Sequence, residues 1–325
     1  MPRETAPTEI TELADARAVA RRAHDWATAD QLLARIAAAG WKVVDTGTLY
    51  DLERTAPVDR VVDGVVRHGS SESVPSRLEE APAGLADVVV VAEDDAAALV
   101  ATVEAVLRTS GPGVRVVVVA NAPADDVLAA VDALEAAHPG SVEIVRMATR
   151  LGHALVVNAG MRRVVAPVVV LMAAGVAPTG DLPGALAAAL SGPEVAVAGP
   201  FGLASDDLRR WEPAAGPADA IAVSGRAMAF RRDDINARGP LDEHFAAGIW
   251  LDAWWSLVLR DPWAVEEPVH GAPIRHAVVA GTGHVAPAWS DEVPHDAARA
   301  KAEKKDFYRF LKRFASRRDL LTSGH

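Results

Sequence analysis

Apolar side chains recur along this chain with two different periods. Over residues 8–39, Ile10, Leu13, Val19, Ala23, Trp26, Leu32, Leu33 and Ile36 return at helical spacing, and Asp25 stands where a second helix needs a cap. This predicts a helical hairpin ending at Gly40. From Leu85 the pattern shortens to Val-rich runs at 88–92, 114–120, 142–147, 168–172 and 195–198, with helical stretches at 96–109 and 124–138 between the early ones. Near-continuous apolar strands alternating with crossover helices are how a parallel sheet covered on both faces is written. The expected core is a doubly wound α/β domain.

Two further segments complete the outline. Residues 51–84 mix Pro, Ser, Glu and Gly around a short apolar patch at 61–66, as a linker or edge strand would. Near the C-terminus, Phe307, Phe310, Leu311 and Phe314 fall at i, i+3, i+4 and i+7, while Lys301, Lys304, Lys305, Arg309, Lys312, Arg313, Arg317 and Arg318 fill the other positions. That basic amphipathic helix either docks by its Phe stripe or lies on an anionic membrane or acidic protein surface. The expected organisation is a helical hairpin at 1–50, a linker or edge strand at 51–84, a main α/β domain at 85–265 and a C-terminal extension at 266–325.

Composition narrows the function classes. The 325 residues carry 44 acidic and 33 basic side chains, a formal charge of −11, so general attraction to phosphate backbones is absent and no nucleic-acid partner is expected. With no cysteine there is no disulfide framework, thiolate metal site or thiol nucleophile, which suits a reducing cytoplasm. The opening residues lack the basic and apolar regions of a signal peptide. The longest apolar stretch, 164–177, is interrupted by Pro167 and is shorter than the roughly 18–20 residues of a membrane span. A cytoplasmic protein is expected.

An ordered series of motifs runs through the middle of the chain: VVVVAEDDAAALVATVEAVLRT, VVVVANAPADD, RLGHALVVNAGMRRV, VVVLMAAGVAPTGDL, SGRAMAFRRDDINARGPLDEHF and IWLDAWWSLVLRD. In this order the series resembles the GT-A domain of family 2 glycosyltransferases. Gly152, Asn158 and Gly160 match the family's N-x-G-x-x-x-A-x-N-x-G segment in register, and residues 241–245 match its F-D-E-x-F step. The resemblance implies a pocket for a nucleotide sugar, a D-x-D pair that binds Mg²⁺ or Mn²⁺ on the diphosphate, and a later Asp as general base for the acceptor hydroxyl.

Only part of that set is present. The base-binding Asp position is Ala120, followed by Asn121, so Asn121 or Asp125 is left to hydrogen-bond the base. The D-x-D ligands fall on Ala173 and Gly175, which offer a cation no side-chain oxygen. The general-base position keeps Asp252, which reads otherwise as a helix cap or surface carboxylate. Beside it, Trp250, Trp254 and Trp255, with His244 upstream, stand on the acceptor side, either to stack on a sugar or to pack in the core. Gly152, Asn158 and Arg226 complete the donor-side candidates.

No metal or other cofactor is expected, Mg²⁺ or Mn²⁺ entering only as residual family behaviour. His270, His276, His284 and His295 follow no recognised ligand spacing, and the GTG at 281–283 reads as a turn. Diphosphate charge would then fall to Arg150, Arg162, Arg226, Arg231 or Arg232. With Asp252 kept and no carboxylate at 173 or 175, the expected activity is metal-independent, inverting sugar transfer from a nucleotide sugar to an acceptor hydroxyl. The alternative is a catalytically inactive GT-A pseudoenzyme acting as a binding or scaffold module, with residues 301–318 offered to a membrane or protein partner.

A second resemblance covers residues 14–48, which are similar to the last helical piece of cysteinyl-tRNA synthetases. It contains none of the catalytic parts, and residues 1–50 hold seven acidic against six basic side chains. It is read as a borrowed hairpin that packs against the main domain or a partner.

Overall fold

The computed structural model describes residues 6–46, 49–55, 58–246, 248–265, 268, 271–285 and 297–321. The chain divides into two compact units, Met1–Asp59 and Arg60–His325. In the first, helices α1 (Thr8–Arg22) and α2 (Trp26–Ala38) form the expected hairpin. The Asp25 carboxylate accepts from the Thr28 N–H at 3.1 Å, as a cap should. Gly40, at φ +78°, ends the helix, and the chain continues into β1 (Trp41–Thr46), antiparallel to β2 (Leu49–Arg54). Ile10, Ala14, Ile36 and Trp41 form the core of this unit.

Of the segment 51–84, expected as a linker or edge strand, residues 51–54 are strand in the first unit and 60–84 belong to the second. The apolar patch at 61–66 is a small ribbon of β3 (Arg60–Val62) and β4 (Val65–Arg67). Asp63 and Gly64 both take positive φ, +52° and +78°, which is the type I′ turn an Asp-Gly pair favours. Beyond it, His68 bridges in parallel to Met147 and lies along the sheet edge.

The second unit alternates strand and helix: β5 (Ala86–Ala92), α3 (Ala96–Thr109), β6 (Val114–Ala120), α4 (Asp125–Ala137), β7 (Val142–Arg146), α5 (His153–Met161), β8 (Val168–Met172), α6 (Leu182–Ala189) and β9 (Val195–Gly199). Short strands β10 (Gly202–Ala204), β11 (Glu212–Pro213) and β12 (Ala222–Val223) form a separate three-stranded sheet. Then follow β13 (Ala227–Arg231), α7 (Arg232–Arg238), α8 (Ile249–Arg260), β14 (His276–Val279) and α9 (Ala297–Phe314). The seven-stranded sheet runs β14-β9-β13-β8-β5-β6-β7, with β13 antiparallel to both of its neighbours.

Side chains alternate across this sheet, so both faces are apolar. Val89, Val117, Val119 and Leu171 point into one core layer; Val88, Val90, Val118 and Val170 point into the other. Helix α5 lies close on the first face. A Cβ at Gly160 would sit 2.5 Å from Val89 Cγ1 and 2.8 Å from Val119 Cγ2, so glycine is what lets the helix approach. Helix α9 docks by its Phe stripe, as one of its two expected readings had it: Phe310 and Phe314 are fully buried, and the Trp250 ring lies 5.1 Å from Phe307 and 5.4 Å from Phe310. Among the described residues no helix is long and apolar enough to cross a membrane.

The Gly160 contact gives a test of the helix–sheet spacing. Gly160→Ala forces a methyl against two buried valines and should lower stability by about 1–3 kcal/mol, read as a reduced urea midpoint at unchanged slope.

Candidate active site

The strand order reverses at β5: the chain passes from β5 outward to β6 and β7, then returns to place β8 on the other side of β5. In open α/β sheets the carboxyl ends of the strands flanking such a point border a crevice. Here that end is marked by Glu93 after β5, Asn121 after β6 and Ala173 after β8. Because β13 is antiparallel, its beginning lies at the same end, with Ala227 opposite Met172. The Ala173 N–H donates to the Arg226 carbonyl at 2.9 Å.

Asp252 joins this group from the first turn of α8. Its Oδ2 lies 3.4 Å from the Ser224 hydroxyl, which donates to it, and the Gly225 backbone N–H also donates to the carboxylate. Burial pushes the Asp252 carboxyl up to about 6, with the Gly225 N–H, the Ser224 hydroxyl and the Arg226 charge pulling the other way. A Cβ at Gly225 would stand 2.5 Å from Asp252 Oδ1, so only glycine leaves the carboxylate where it is. Ser224 and Gly225 escaped the sequence reading; the available signal was a Ser-Gly pair directly before Arg226 and a strand.

The loop after β8 carries no carboxylate at 173 or 175. Gly175 adopts φ +95°, where an L-residue is strained, and its N–H donates to Thr102 Oγ1 at 2.8 Å. Ala173 and Gly175 thus border the crevice without a polar side chain.

Other candidates are engaged elsewhere. Asn121 is fully buried; its amide nitrogen donates to Glu93 Oε1 at 2.8 Å and the Leu151 carbonyl at 3.0 Å, and its oxygen accepts from the Leu151 N–H. It locks two loops together instead of facing a base. Asp125 is exposed at the start of α4, and Gly152 is the N-cap of α5. Asn158 exchanges hydrogen bonds with the Leu241 backbone and donates to Glu243. It lines a hollow of about 560 Å³ with Ser71, Arg162, Asp242, His244 and Arg309, a lining that includes neither Ala173, Arg226 nor Asp252.

The aromatic candidates belong to the core. Trp254 is 6% and Trp255 1% exposed; they stack on each other at 6.1 Å, with Phe245 and Phe230 against them. Trp250 is held by the α9 phenylalanines. Of the arginines, Arg162 donates to the Val74 carbonyl, Arg231 to those of Leu190, Gly192 and Val195, and Arg232 to those of Glu80 and Val165. These three tie loops to the sheet and are corrected as diphosphate ligands. Arg150 remains near the crevice, forking Asp94 at 2.6 Å, as does Arg226.

His276 lies on the edge strand β14, and the His284 carbonyl accepts from the Thr179 N–H at 2.8 Å. His270 and His295 fall outside the described residues. Among the described residues no three His, Asp or Glu side chains gather as a metal would require.

Residues 87–250 match glycosyl transferase family 2. The mannosyltransferase PcManGT from Pyrobaculum calidifontis, solved with GDP-Man and Mn²⁺, is 17% identical, with 76% of this chain and 71% of that one covered at a TM-score of 0.52. GalNAc-T7, solved with UDP, GalNAc and Mn²⁺, is 13% identical, with 73% of this chain and half of that one covered at a TM-score of 0.55. Cysteine–tRNA ligase of Opitutus terrae is 48% identical over 52 residues, 16% of this chain and 11% of the ligase.

The expectation of no cofactor is corrected by the two solved structures, both of which hold Mn²⁺. It rested on Ala173 and Gly175, and the absence of two side chains says nothing about oxygens that a nucleotide brings with it. The residues at 173–175 by themselves fit a cation poorly. A family match over half its length, on a GT-A sheet with its crevice at the β5/β8 reversal, shows that the chain belongs to glycosyl transferase family 2.

Proposed function

We propose that this protein transfers a glycosyl group from a nucleoside diphosphate sugar to an acceptor hydroxyl, with Asp252 as the general base. The observation that carries the proposal is the Asp252 carboxylate, held by Ser224 and Gly225 beside Arg226 at the carboxyl end of β8, with its pKa raised to about 6. A base poised near neutral pH combines a deprotonated ground state with useful proton affinity. The acceptor oxygen attacks the anomeric carbon as its proton passes to Asp252. The bond to the diphosphate breaks on the opposite face, and the anomeric configuration inverts.

Arg226 supplies positive charge on the leaving-group side. The manganese-bearing neighbours support including a divalent cation in assays, held largely by the nucleotide. The locked Asn121 and the bare 173–175 loop favour a second reading, a GT-A module that binds no nucleotide. Thermal shift and calorimetry with UDP-, GDP- and dTDP-sugars, with and without Mn²⁺, separate the two. Binding of one nucleotide sugar supports the transferase, whereas silence toward all of them leaves the binding module.

For the nucleotide sugar that binds, Asp252→Asn should reduce kcat by about a hundredfold to ten-thousandfold, measured as sugar transfer. Because the folded carboxyl has a raised pKa, stability falls as pH rises from the ordinary carboxylate range to about 6, and the loss is complete above that. The same variant should therefore match or exceed the parent in thermal stability at pH 7–8, with the difference vanishing near pH 4. In the parent, kcat/KM should fall as pH drops through about 6 and level off above it. Gly225→Ala, which displaces the carboxylate, should cut kcat more than it raises KM while the protein stays folded by circular dichroism.

A further inference from the structure

We propose that the outward face of α9 docks on the surface of an anionic lipid bilayer. The inward face of this helix is already committed: Phe310 and Phe314 are buried, Arg309 pairs with Asp242, Arg317 with Asp261 and Asp319, and Arg313 lies over the Trp254 ring. Lys301, Lys304, Lys305, Tyr308 and Lys312 are exposed, at spacings of three and four residues that set them on one stripe about 17 Å long. Arg318 extends the charge past the helix end. Among the described residues none of these five cations has an ion-pair partner.

The stripe is positive on a chain whose formal charge is −11. Screening over about 8 Å at physiological salt means that a facing surface responds to this local charge, not to the total. The choice of cation points to lipid over an acidic protein. Arginine forks match carboxylates in fixed geometry, and Arg309 in α9 and Arg317 just past its end do so within the protein. The stripe uses mainly lysine, a point charge on a flexible stem, which suits a fluid field of phosphates. In its middle Tyr308 is 59% exposed, an amphipathic ring of the kind enriched at membrane–water boundaries.

With its apolar side docked internally, the helix has no second face to insert, so attachment is electrostatic and reversible. Helix α9 packs on α8, whose first turn holds Asp252, through Trp250. Docking would therefore fix the orientation of the crevice relative to the bilayer. The proposal does not depend on the transferase reading.

Vesicle co-sedimentation tests it. The full chain should pellet with phosphatidylcholine vesicles containing about 30% phosphatidylglycerol at low salt, stay in solution with phosphatidylcholine alone, and be released at about 0.5 M salt. Each lysine removed should weaken partitioning about fivefold, so K301A/K304A/K305A/K312A should lose more than about a hundredfold. The matching Lys→Arg variant should keep binding, and both variants should unfold thermally like the parent, since these side chains are exposed. Failure of the parent to pellet, or an alanine variant that pellets equally well, overturns the proposal. Retention on polyglutamate without vesicle binding overturns it in favour of an acidic protein partner.

Discussion

Strand β5 hydrogen-bonds to β6 on one side and to β8 on the other, and its valines enter a dry core layer above and below. That double burial constrains everything around it. Its backbone polar groups have no water to turn to, so both neighbours are obligatory. Both faces must be roofed by helices, and α5 comes close enough to require glycine at 160. The reversal of strand order at β5 opens the crevice, and the antiparallel β13 delivers Ser224, Gly225 and Arg226 to its rim.

Arginine serves this architecture more as a staple than as a ligand. Arg231 and Arg232 close loop carbonyls onto the sheet, and Arg260, 1% exposed, donates to the carbonyls of Ile221, Arg275 and Leu320. Burial pulls the Arg260 guanidinium down to about 10, so it stays charged at neutral pH, and its carbonyl partners compensate the lost hydration. One such fork satisfies several carbonyls that irregular loops leave without strand partners. The consequence is functional: cations that stand near the matched motifs in sequence are withdrawn from the crevice, and Arg226 and Arg150 are left beside it.

The two halves of the crevice are built differently. Asp252 has a hydroxyl, a backbone donor and a neighbouring charge arranged around it. Across the crevice, Asn121 is enclosed by Glu93 and Leu151, and the 173–175 loop turns through a left-handed glycine. The Gly175 N–H ties this loop to Thr102. The tryptophans beside Asp252 complete the same division, since they anchor α8 against α9 and so hold the carboxylate's helix in place.

The hydrophobic periods by themselves determined the covered parallel sheet, its crossover helices, the capped N-terminal hairpin and the Phe stripe of α9, because burial is encoded residue by residue in local spacing. The strands β13 and β14 and the Asp63-Gly64 ribbon went unread, being short and set among irregular loops. Which polar groups meet was decided only by the tertiary structure. Asp252 finds Ser224 and Gly225 nearly thirty residues away because β13 runs antiparallel between β8 and β9. Arg231 and Arg232 are lost to the crevice because buried carbonyls must be satisfied wherever the loops fall. Sequence spacing carries the period of an element, whereas the partner of a polar side chain is set by strand order and by the demand that no buried hydrogen-bonding group go without one.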